Sequence, residues 1–371
     1  MSIFYSSECL PVDTYDNLTS YGWHPFFAAA FACYTTEGLV PARLISEHPG
    51  LYHYVSPFAE GLAELSGRMR HQAQNRESLP AVGDWVALTA SPEMDKARIE
   101  AILPRRSVFA RKETGGRAQA QLVAANVDTV LLVSALNQDL NLRRIERYLT
   151  LAWESGARPV IVLNKADLSA EVMALRAEVE AVAIGVEVFV ISAKDGSGLR
   201  DLAPYLTPGQ TVALLGSSGV GKSTLVNALA GQDIQAVQAI RADDAKGRHT
   251  TTHRQLFRLP SGALLLDTPG MRELQLWNAG DGLDAGFADI VELAVGCRYR
   301  NCAHQAEQGC AIQAALQSGE LDAARYGNFL KLKREEAWVE RRADKGLAAN
   351  SKRRWKQIHL QARQQSQQKY L

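Results

Sequence analysis

The sequence lacks any hydrophobic run long enough to cross a bilayer. The longest apolar stretch near the start, Phe26–Tyr34, is well short of the roughly 20 residues that a membrane helix needs, and no Lys or Arg precedes it as in a secretory signal. Cysteine is also scarce: there are five, an odd number, and three of them crowd one short window. These absences argue against a membrane protein and a disulfide framework, and they predict a soluble, cytoplasmic protein with a metal site.

Net charge is nearly absent too, at +1 from 41 basic and 40 acidic residues, yet the basic residues are concentrated in two places. One basic run spans Pro104–Arg117. The other begins at Arg341, beyond which Asp344 is the one acid. Its nine basic residues are Arg341, Arg342, Lys345, Lys352, Arg353, Arg354, Lys356, Arg363 and Lys369. Such segregation indicates contact with a polyanion, or else a solvated loop and a solvated helix face.

The length of 371 residues predicts two or three domains, and the sequence pattern changes along the chain. Residues 1–35 have no clear period and are read as an N-terminal extension. Residues 36–117 contain short strands separated by turns, which fits a small β-barrel of the oligonucleotide-binding (OB) fold; a piece of a β-sandwich fits nearly as well. In residues 118–278 apolar strands alternate with helices, which predicts an α/β domain with a parallel sheet. Residues 279–371 carry a Cys/His cluster and then polar, mostly helical sequence.

A phosphate-binding loop is predicted within LLGSSGVGKSTLVNALAG at residues 214–231. A strand precedes the loop and a helix follows it, which is the context that the Walker A pattern requires. Lys222 is placed to reach the β- and γ-phosphates, and the Ser223 hydroxyl to bind Mg²⁺. The predicted nucleotide-binding residues here are Gly216, Ser217, Ser218, Gly219, Val220, Gly221, Lys222, Ser223 and Thr224.

The next apolar strand ends in Asp267-Thr268-Pro269-Gly270. An acid at this place can hold Mg²⁺ through water, and the N–H of Gly270 can contact the γ-phosphate. The polar segment AKGRHTTTHRQL (245–256) lies between the two motifs, and either Thr250 or Thr251 can complete the magnesium shell. The predicted magnesium ligands are Ser223, Thr250, Thr251 and Asp267.

The residues that read the base lie upstream of the phosphate loop. In VLNKADL, the Asp167 carboxylate can accept hydrogen bonds from guanine N1–H and the 2-amino group, a pair of donors that adenine lacks. Asn164 can contact the base edge, and the stem of Lys165 can lie over the ring. The segment ISAKDG then supplies Ser192, Ala193 and Lys194 near guanine O6.

All parts of a guanine-nucleotide site are therefore present, but the base-reading motifs precede the phosphate loop. Joining the usual ends and cutting after DTPG produces this circularly permuted order, which a doubly wound sheet tolerates because strand neighbours in space do not change. The residue after DTPG is Met271, where small GTPases commonly place a water-orienting Gln. We therefore expect slow intrinsic hydrolysis. His249 is the candidate catalytic substitute, with a surface or phosphate-contacting role as the alternative.

A second site is predicted at Cys297-x4-Cys302-x-His304-x5-Cys310. Three thiolates and one imidazole suit a closed tetrahedral Zn²⁺ site, and with no open position the metal is expected to be structural. One Zn²⁺ per chain would connect a segment that has little apolar core of its own.

On these motifs (NKAD, SAKDG, GSSGVGKST, GRHTTT, DTPG and the cysteine cluster, in this order) the chain resembles the circularly permuted, ribosome small-subunit-dependent GTPase A family over about residues 36–330. The resemblance implies a multidomain protein: an N-terminal OB-fold β-barrel, a central permuted α/β P-loop GTPase domain and a C-terminal zinc-binding, mostly helical domain. It also implies low GTPase activity stimulated by the small ribosomal subunit, a late role in maturation of that subunit, and rRNA binding. We expect a monomer without membrane contact.

The resemblance also makes RNA the expected partner of the two basic runs. A barrel carrying Arg105, Arg106, Arg111, Lys112 and Arg117 can follow an RNA backbone, and the terminal basic cluster with Trp355 can lie along rRNA. Two other functions remain open at this point: a GTP-dependent RNA-binding switch, and a GTPase that acts on another target such as tRNA or a metalloprotein.

Overall fold

A computed structural model describes residues 15–73, 76–89, 95–112, 120–137, 140–231, 254–267, 280–305 and 307–343. The roles predicted for His249, Thr250, Thr251, Gly270, Met271 and most of the basic tail fall on residues outside these ranges. The strands are β1 (Val40–His48), β2 (Leu51–Val55), β3 (Glu60–Leu65), β4 (Trp85–Thr89), β5 (Ala97–Ile102), β6 (Val108–Lys112), β7 (Ala120–Ala125), β8 (Thr129–Ala135), β9 (Arg158–Asn164), β10 (Val188–Val190), β11 (Thr211–Leu215), β12 (Arg254–Arg258) and β13 (Leu264–Asp267).

The helices are α1 (Asp16–Thr19), α2 (Pro25–Thr35), α3 (Gly67–Gln72), α4 (Leu142–Ser155), α5 (Val172–Val182), α6 (Lys222–Ala230), α7 (Gly280–Gly286), α8 (Ala288–Val295), α9 (Ala311–Ser318) and α10 (Ala323–Ala343). None of the helices in the described ranges combines the length and the hydrophobicity that a membrane span requires.

The first five strands close into a barrel. The order β1-β2-β3-β5-β4 returns to β1, with β3 and β5 parallel and the other neighbours antiparallel. Alternate side chains such as Leu44, Val86 and Ile99 fill the interior. The OB-fold prediction is therefore confirmed over the β-sandwich alternative. The segment GLAELSGRMRH (61–71), which the sequence pattern predicts as one strand, leaves the sheet after Leu65. The Ser66 hydroxyl accepts a hydrogen bond from Met69 N there and begins α3.

The N-terminal extension covers part of the barrel. Phe27 and Phe31 of α2 are buried against Trp85 of β4, and Trp23 packs edge-on to the same ring at 4.7 Å between centroids. The apolar stretch from Phe26 to Tyr34 is thus a short helix that buries aromatic side chains on the barrel.

The α/β domain has strand order β10-β9-β8-β11-β13-β12, parallel except for β12. Alternate residues of β8 face opposite layers: Val130 and Leu132 pack with α4 and α5, whereas Leu131 and Val133 pack with α6. The predicted sheet covered on both faces is therefore present. The hairpin β6–β7 joins the barrel to this domain, and its Phe109 and Val123 belong to the core on the α4 side.

One further strand links the two domains. β12 pairs with β13 on one side and with barrel strand β1 on the other, through Ser46–Gln255 and Glu47–Arg254. The barrel and the α/β sheet consequently form one continuous sheet of eleven strands. A buried arginine adds to the connection: Arg43 of β1 donates hydrogen bonds to Asn126 O at 3.1 Å and to Thr211 Oγ1 at 2.8 Å.

The C-terminal helices pack against α4. Helix α7 approaches so closely that a Cβ on Gly282 would lie 2.7 Å from the Thr150 carbonyl oxygen. Helix α10 contributes Arg325, which is nearly buried and donates to Glu146 of α4 at 2.8 Å and to Asp289 of α8 at 2.6 Å. The C-terminal region is thus attached to the α/β domain through helix α4.

Candidate nucleotide site and metal centre

The candidate nucleotide site is at one edge of the parallel sheet. Strands β9 and β11 end at Asn164 and Leu215, and the carboxyl ends of parallel strands share one edge. The phosphate loop (216–221) follows β11, and α6 begins at Lys222. A Cβ on Gly216 would lie 2.3 Å from Val133 O, and one on Gly221, where φ is +94°, would lie 2.4 Å from Asn164 Nδ2. These positions admit glycine alone without rearrangement.

Hydrogen bonds hold the side chain of Lys222 against the phosphate loop. Lys222 Nζ donates to the carbonyl oxygens of Gly216 at 2.7 Å and Ser217 at 2.5 Å. Ser223 and Thr224 are in the first turn of α6, where backbone N–H groups and the helix dipole favour an anion. These features are typical of a loop that binds a polyphosphate.

The predicted base-reading segment is hydrogen-bonded directly to the phosphate loop. The buried Asn164 amide donates to Val220 O at 2.9 Å, and its oxygen accepts from Ala193 N at 2.9 Å. Lys165 adopts a left-handed conformation with φ of +65°, and its Nζ donates to Gly219 O at 2.6 Å. Three segments that are far apart in the chain thus meet around one side-chain amide.

Asp167 is also held in place. It is exposed at the end of β9, in the short 3-10 turn Ala166–Leu168, and Ser192 Oγ donates to its Oδ1 at 2.8 Å. The Ala166 N–H donates to Ile191 O at 3.1 Å, so this turn and the Ser-Ala-Lys turn form one unit. Lys194 is exposed beside them. The backbone of Asp267 ends β13, the strand next to β11.

One contact at the site was not predicted from the sequence. Arg144, in the first turn of α4, donates through Nη1 to Ser217 Oγ at 3.0 Å. The residues are 73 positions apart. No local motif marks Arg144, because the segment NLRRIERYLTLAWESG reads only as an amphipathic helix.

Arg105 has a different role from the RNA contact predicted for it. Its guanidinium makes a bidentate pair with the buried Asp84, at 2.8 Å for each bond, and also donates to the carbonyl oxygens of Glu77 and Leu79. Arg106 pairs with Asp128 at 3.2 Å and is about half exposed. Because the guanidinium of Arg105 bonds to partners inside the protein, this residue contributes to stability. The side chains of Arg111, Lys112 and Arg117 lie outside the described part of the structure.

The cysteine cluster has the geometry of a metal site. Cys297 Sγ lies 4.0 Å from Cys310 Sγ, both are 3.5 Å from His304 Nδ1, and all four ligand atoms, Cys302 Sγ included, lie within 4.8 Å of one another. Zinc–sulfur bonds of about 2.3 Å in a tetrahedron separate two sulfurs by about 3.8 Å. The carbonyl of His304 accepts from Gln313 Nε2 of α9 at 2.7 Å, which anchors the His304 backbone. This ligand set can hold a metal ion.

Comparison with known proteins agrees with this geometry. The sequence profile of the family described as RsgA GTPase matches residues 102–277. "Small ribosomal subunit biogenesis GTPase RsgA" of Opitutus terrae is 47% identical, with 92% of this chain and 96% of that protein covered. The protein of the same name from Syntrophotalea carbinolica is 44% identical, with 94% and 97% covered. The chain belongs to the RsgA GTPase family.

Solved structures support the same assignment. The crystal structure of YjeQ from Thermotoga maritima is similar, with a TM-score of 0.60, 26% identity, and coverage of 81% of this chain and 99% of that one. YloQ, described as a circularly permuted GTPase, gives a TM-score of 0.58 at 25% identity, with 81% and 95% covered. Family membership makes the chain a GTPase, and the predicted circular permutation is confirmed.

Proposed function

We propose that this GTPase is a late assembly and maturation factor of the small ribosomal subunit, which binds rRNA and hydrolyses GTP slowly until the subunit stimulates it. The observation that carries the proposal is the Asn164 junction, which joins a guanine-reading segment to a phosphate loop in permuted order. The printed names of the relatives, small ribosomal subunit biogenesis GTPases, supply the target. A factor with this target acts in the cytoplasm.

In this proposal Asp167 reads the guanine N1–H and 2-amino groups, and Lys222 contacts the β- and γ-phosphates. Mg²⁺ would neutralise developing charge on the phosphates; Ser223 would hold it with Asp267 and either Thr250 or Thr251. His249 is the candidate for orienting the attacking water. The remaining proposed nucleotide contacts are Asn164, Lys165, Ser192, Ala193, Lys194, Gly216, Ser217, Ser218, Gly219, Val220, Gly221, Thr224 and Gly270.

The metal of the cysteine cluster is proposed to be one structural Zn²⁺. Three sulfurs and one imidazole nitrogen at these separations fill a tetrahedral shell and leave no position for a substrate. We expect about one zinc per chain by elemental analysis, and loss of that zinc in Cys302→Ser. Purified protein that contains no zinc, or a variant that retains it, would contradict this assignment.

The proposed domains are the extension (1–35), the OB-fold RNA-binding domain (36–117), the permuted GTPase domain (118–278) and the zinc-binding helical domain with its basic tail (279–371). A monomer is proposed. The barrel supports RNA contact because OB folds bind single strands on one face, with basic side chains along the backbone.

The decisive experiment is GTP turnover by the full chain with and without purified small subunits, with ATP as the control nucleotide. We expect weak turnover of GTP alone, strong stimulation by the subunit and no turnover of ATP. Co-sedimentation with a non-hydrolysable GTP analogue tests the partner separately. A protein that neither pellets with small subunits nor responds to them would instead act as a GTP-dependent switch on another RNA or ribonucleoprotein.

A further inference from the structure

Arg144 is a side chain outside the predicted motifs that contacts the phosphate loop. Asn141 caps α4 by accepting from the Arg144 N–H at 3.1 Å, which fixes the backbone of the first turn. From that turn the guanidinium reaches Ser217 Oγ at 3.0 Å. A half-buried charged donor on a hydroxyl makes one of the stronger kinds of hydrogen bond.

Ser217 is also where the phosphate-binding lysine is held. Its carbonyl accepts from Lys222 Nζ at 2.5 Å, while its hydroxyl accepts from Arg144. Two cations therefore converge on one residue of the loop. The position of Ser217 thus affects where Lys222 meets the γ-phosphate.

The helix that carries Arg144 is anchored elsewhere by the C-terminal helices. Glu146 is fully buried and accepts from Arg325 of α10 at 2.8 Å, and Arg147 makes a bidentate pair with Glu335 at 2.7 and 2.8 Å. Glu146, Arg147 and Arg144 all lie within the first two turns of α4. A displacement of the metal-binding region that moved α4 would therefore also move the guanidinium at Ser217.

We propose that Arg144 is a positioning residue for GTP hydrolysis, which sets Ser217 and through it Lys222, and that α4 transmits the placement of the C-terminal helices to the phosphate loop. The inference rests on the proposed nucleotide site. Through α4, a partner that contacts the C-terminal helices would change the rate of hydrolysis without touching the nucleotide.

The test compares Arg144→Ala, Arg144→Lys, Ser217→Ala and the double variant Arg144→Ala/Ser217→Ala. Loss of one charge-assisted hydrogen bond predicts a fall of about tenfold in subunit-stimulated kcat for each single alanine variant, with KM changed by less than about threefold. The double variant is expected to be no slower than either single variant, since both remove the same bond. Arg144→Lys keeps the charge and is expected to recover part of the rate.

Arg176→Ala is the matched control, because Arg176 is a partly exposed helical arginine that pairs with Glu180 on α5. The inference is overturned if Arg144→Ala turns over GTP like the control, if kcat per folded molecule is unchanged while only the melting temperature falls, or if the two alanine variants add. A wild-type protein that fails to bind guanine nucleotide would instead refute the proposed site, which a fluorescent GDP titration detects independently.

Discussion

Asn164 is the residue at which the nucleotide site is joined together. Its side-chain amide has one donor directed to Val220 O and one acceptor taken by Ala193 N. Because the amide is buried, loss of either bond would leave an unpaired polar group. The sequence pattern predicts that Asn164 contacts the base edge. The structure adds that its two hydrogen bonds connect the NKAD segment, the Ser-Ala-Lys turn and the phosphate loop.

Asp167→Asn is expected to change the base preference. In the proposed site the carboxylate accepts from two guanine donors, and an amide can accept from one only, so GTP affinity should fall about a hundredfold. Xanthine carries a carbonyl in place of the 2-amino group, and the new amide N–H can donate to it, so xanthosine triphosphate should bind the variant more tightly than it binds the wild type. Nucleotide titrations measure both changes, with the exposed Asp201→Asn as the control. An unchanged ratio of the two affinities would show that Asp167 does not contact the base.

Helix α4 is the element shared by the nucleotide site and the C-terminal helices. Glu146 accepts from Arg143, Arg325 and Asn328 and is fully buried. Burial alone would lower the pKa of Arg325, but its bonds to Asp289 and Glu146 outweigh burial and raise the pKa above its ordinary value. The buried arginine therefore stays charged, and both carboxylates stabilise its charged form.

Glu146→Ala is expected to loosen the C-terminal helices. Removal of one partner from a buried ion pair leaves Arg325 partly uncompensated, which costs about 3–5 kcal/mol of the free energy of unfolding. Hydrogen exchange in residues 280–343 and denaturant unfolding measure the effect. The exposed Glu180→Ala, which breaks only a helical surface pair, should change stability by about 0.5 kcal/mol or less. Equal protection of the C-terminal helices in both variants would count against the role of Glu146.

The regular elements were predictable where one local signal sufficed. The five barrel strands are bounded by turn residues, and α4 has an apolar face with Asn141 before it and Gly156 after it. Strand β12 was not predicted, since Arg254–Arg258 is short and follows a polar segment. The helix at Phe26 was missed because its apolar residues show no 3.6-residue period, and buried aromatics on the barrel decide its structure.

In the candidate sites, too, local patterns were predictable and contacts between distant residues were not. The Walker A loop, the NKAD segment and the cysteine spacing are local patterns, and the structure brings each set together. The contact of Arg144 with Ser217 and that of Arg325 with Glu146 join residues 73 and 179 positions apart. Arginine has many possible partners, so neither pair could be read from local spacing. The internal ion pair of Arg105 likewise needs Asp84, which lies 21 positions away and comes beside it only in the folded protein.

At the scale of the whole molecule, Arg43 is the residue that connects three regions. It belongs to a barrel strand, and it donates to the Tyr21 carbonyl in the extension, to Asn126 O before β8 and to Thr211 Oγ1 of β11. Burial lowers the pKa of Arg43 to about 10, and the charges of Asp128 and Asp84 offset part of that effect. The guanidinium is thus still charged at neutral pH.

Arg43→Ala is expected to destabilise the whole protein by about 3 kcal/mol or more, because it removes a large buried side chain and leaves several acceptors without their donor. Denaturant unfolding followed by tryptophan fluorescence measures the loss. Arg70→Ala is the control in the same domain, since Arg70 is more than half exposed and pairs only at the surface. If the two variants unfold at the same denaturant concentration, Arg43 does not hold these regions together.

The pairing of β1 with β12 determines how the chain can be divided. A fragment that began after the barrel would leave the outer side of β12 with N–H and C=O groups that no neighbouring strand satisfies. Such an open strand is a template for association with another copy. An isolated catalytic fragment would therefore aggregate at concentrations where the intact chain remains dispersed.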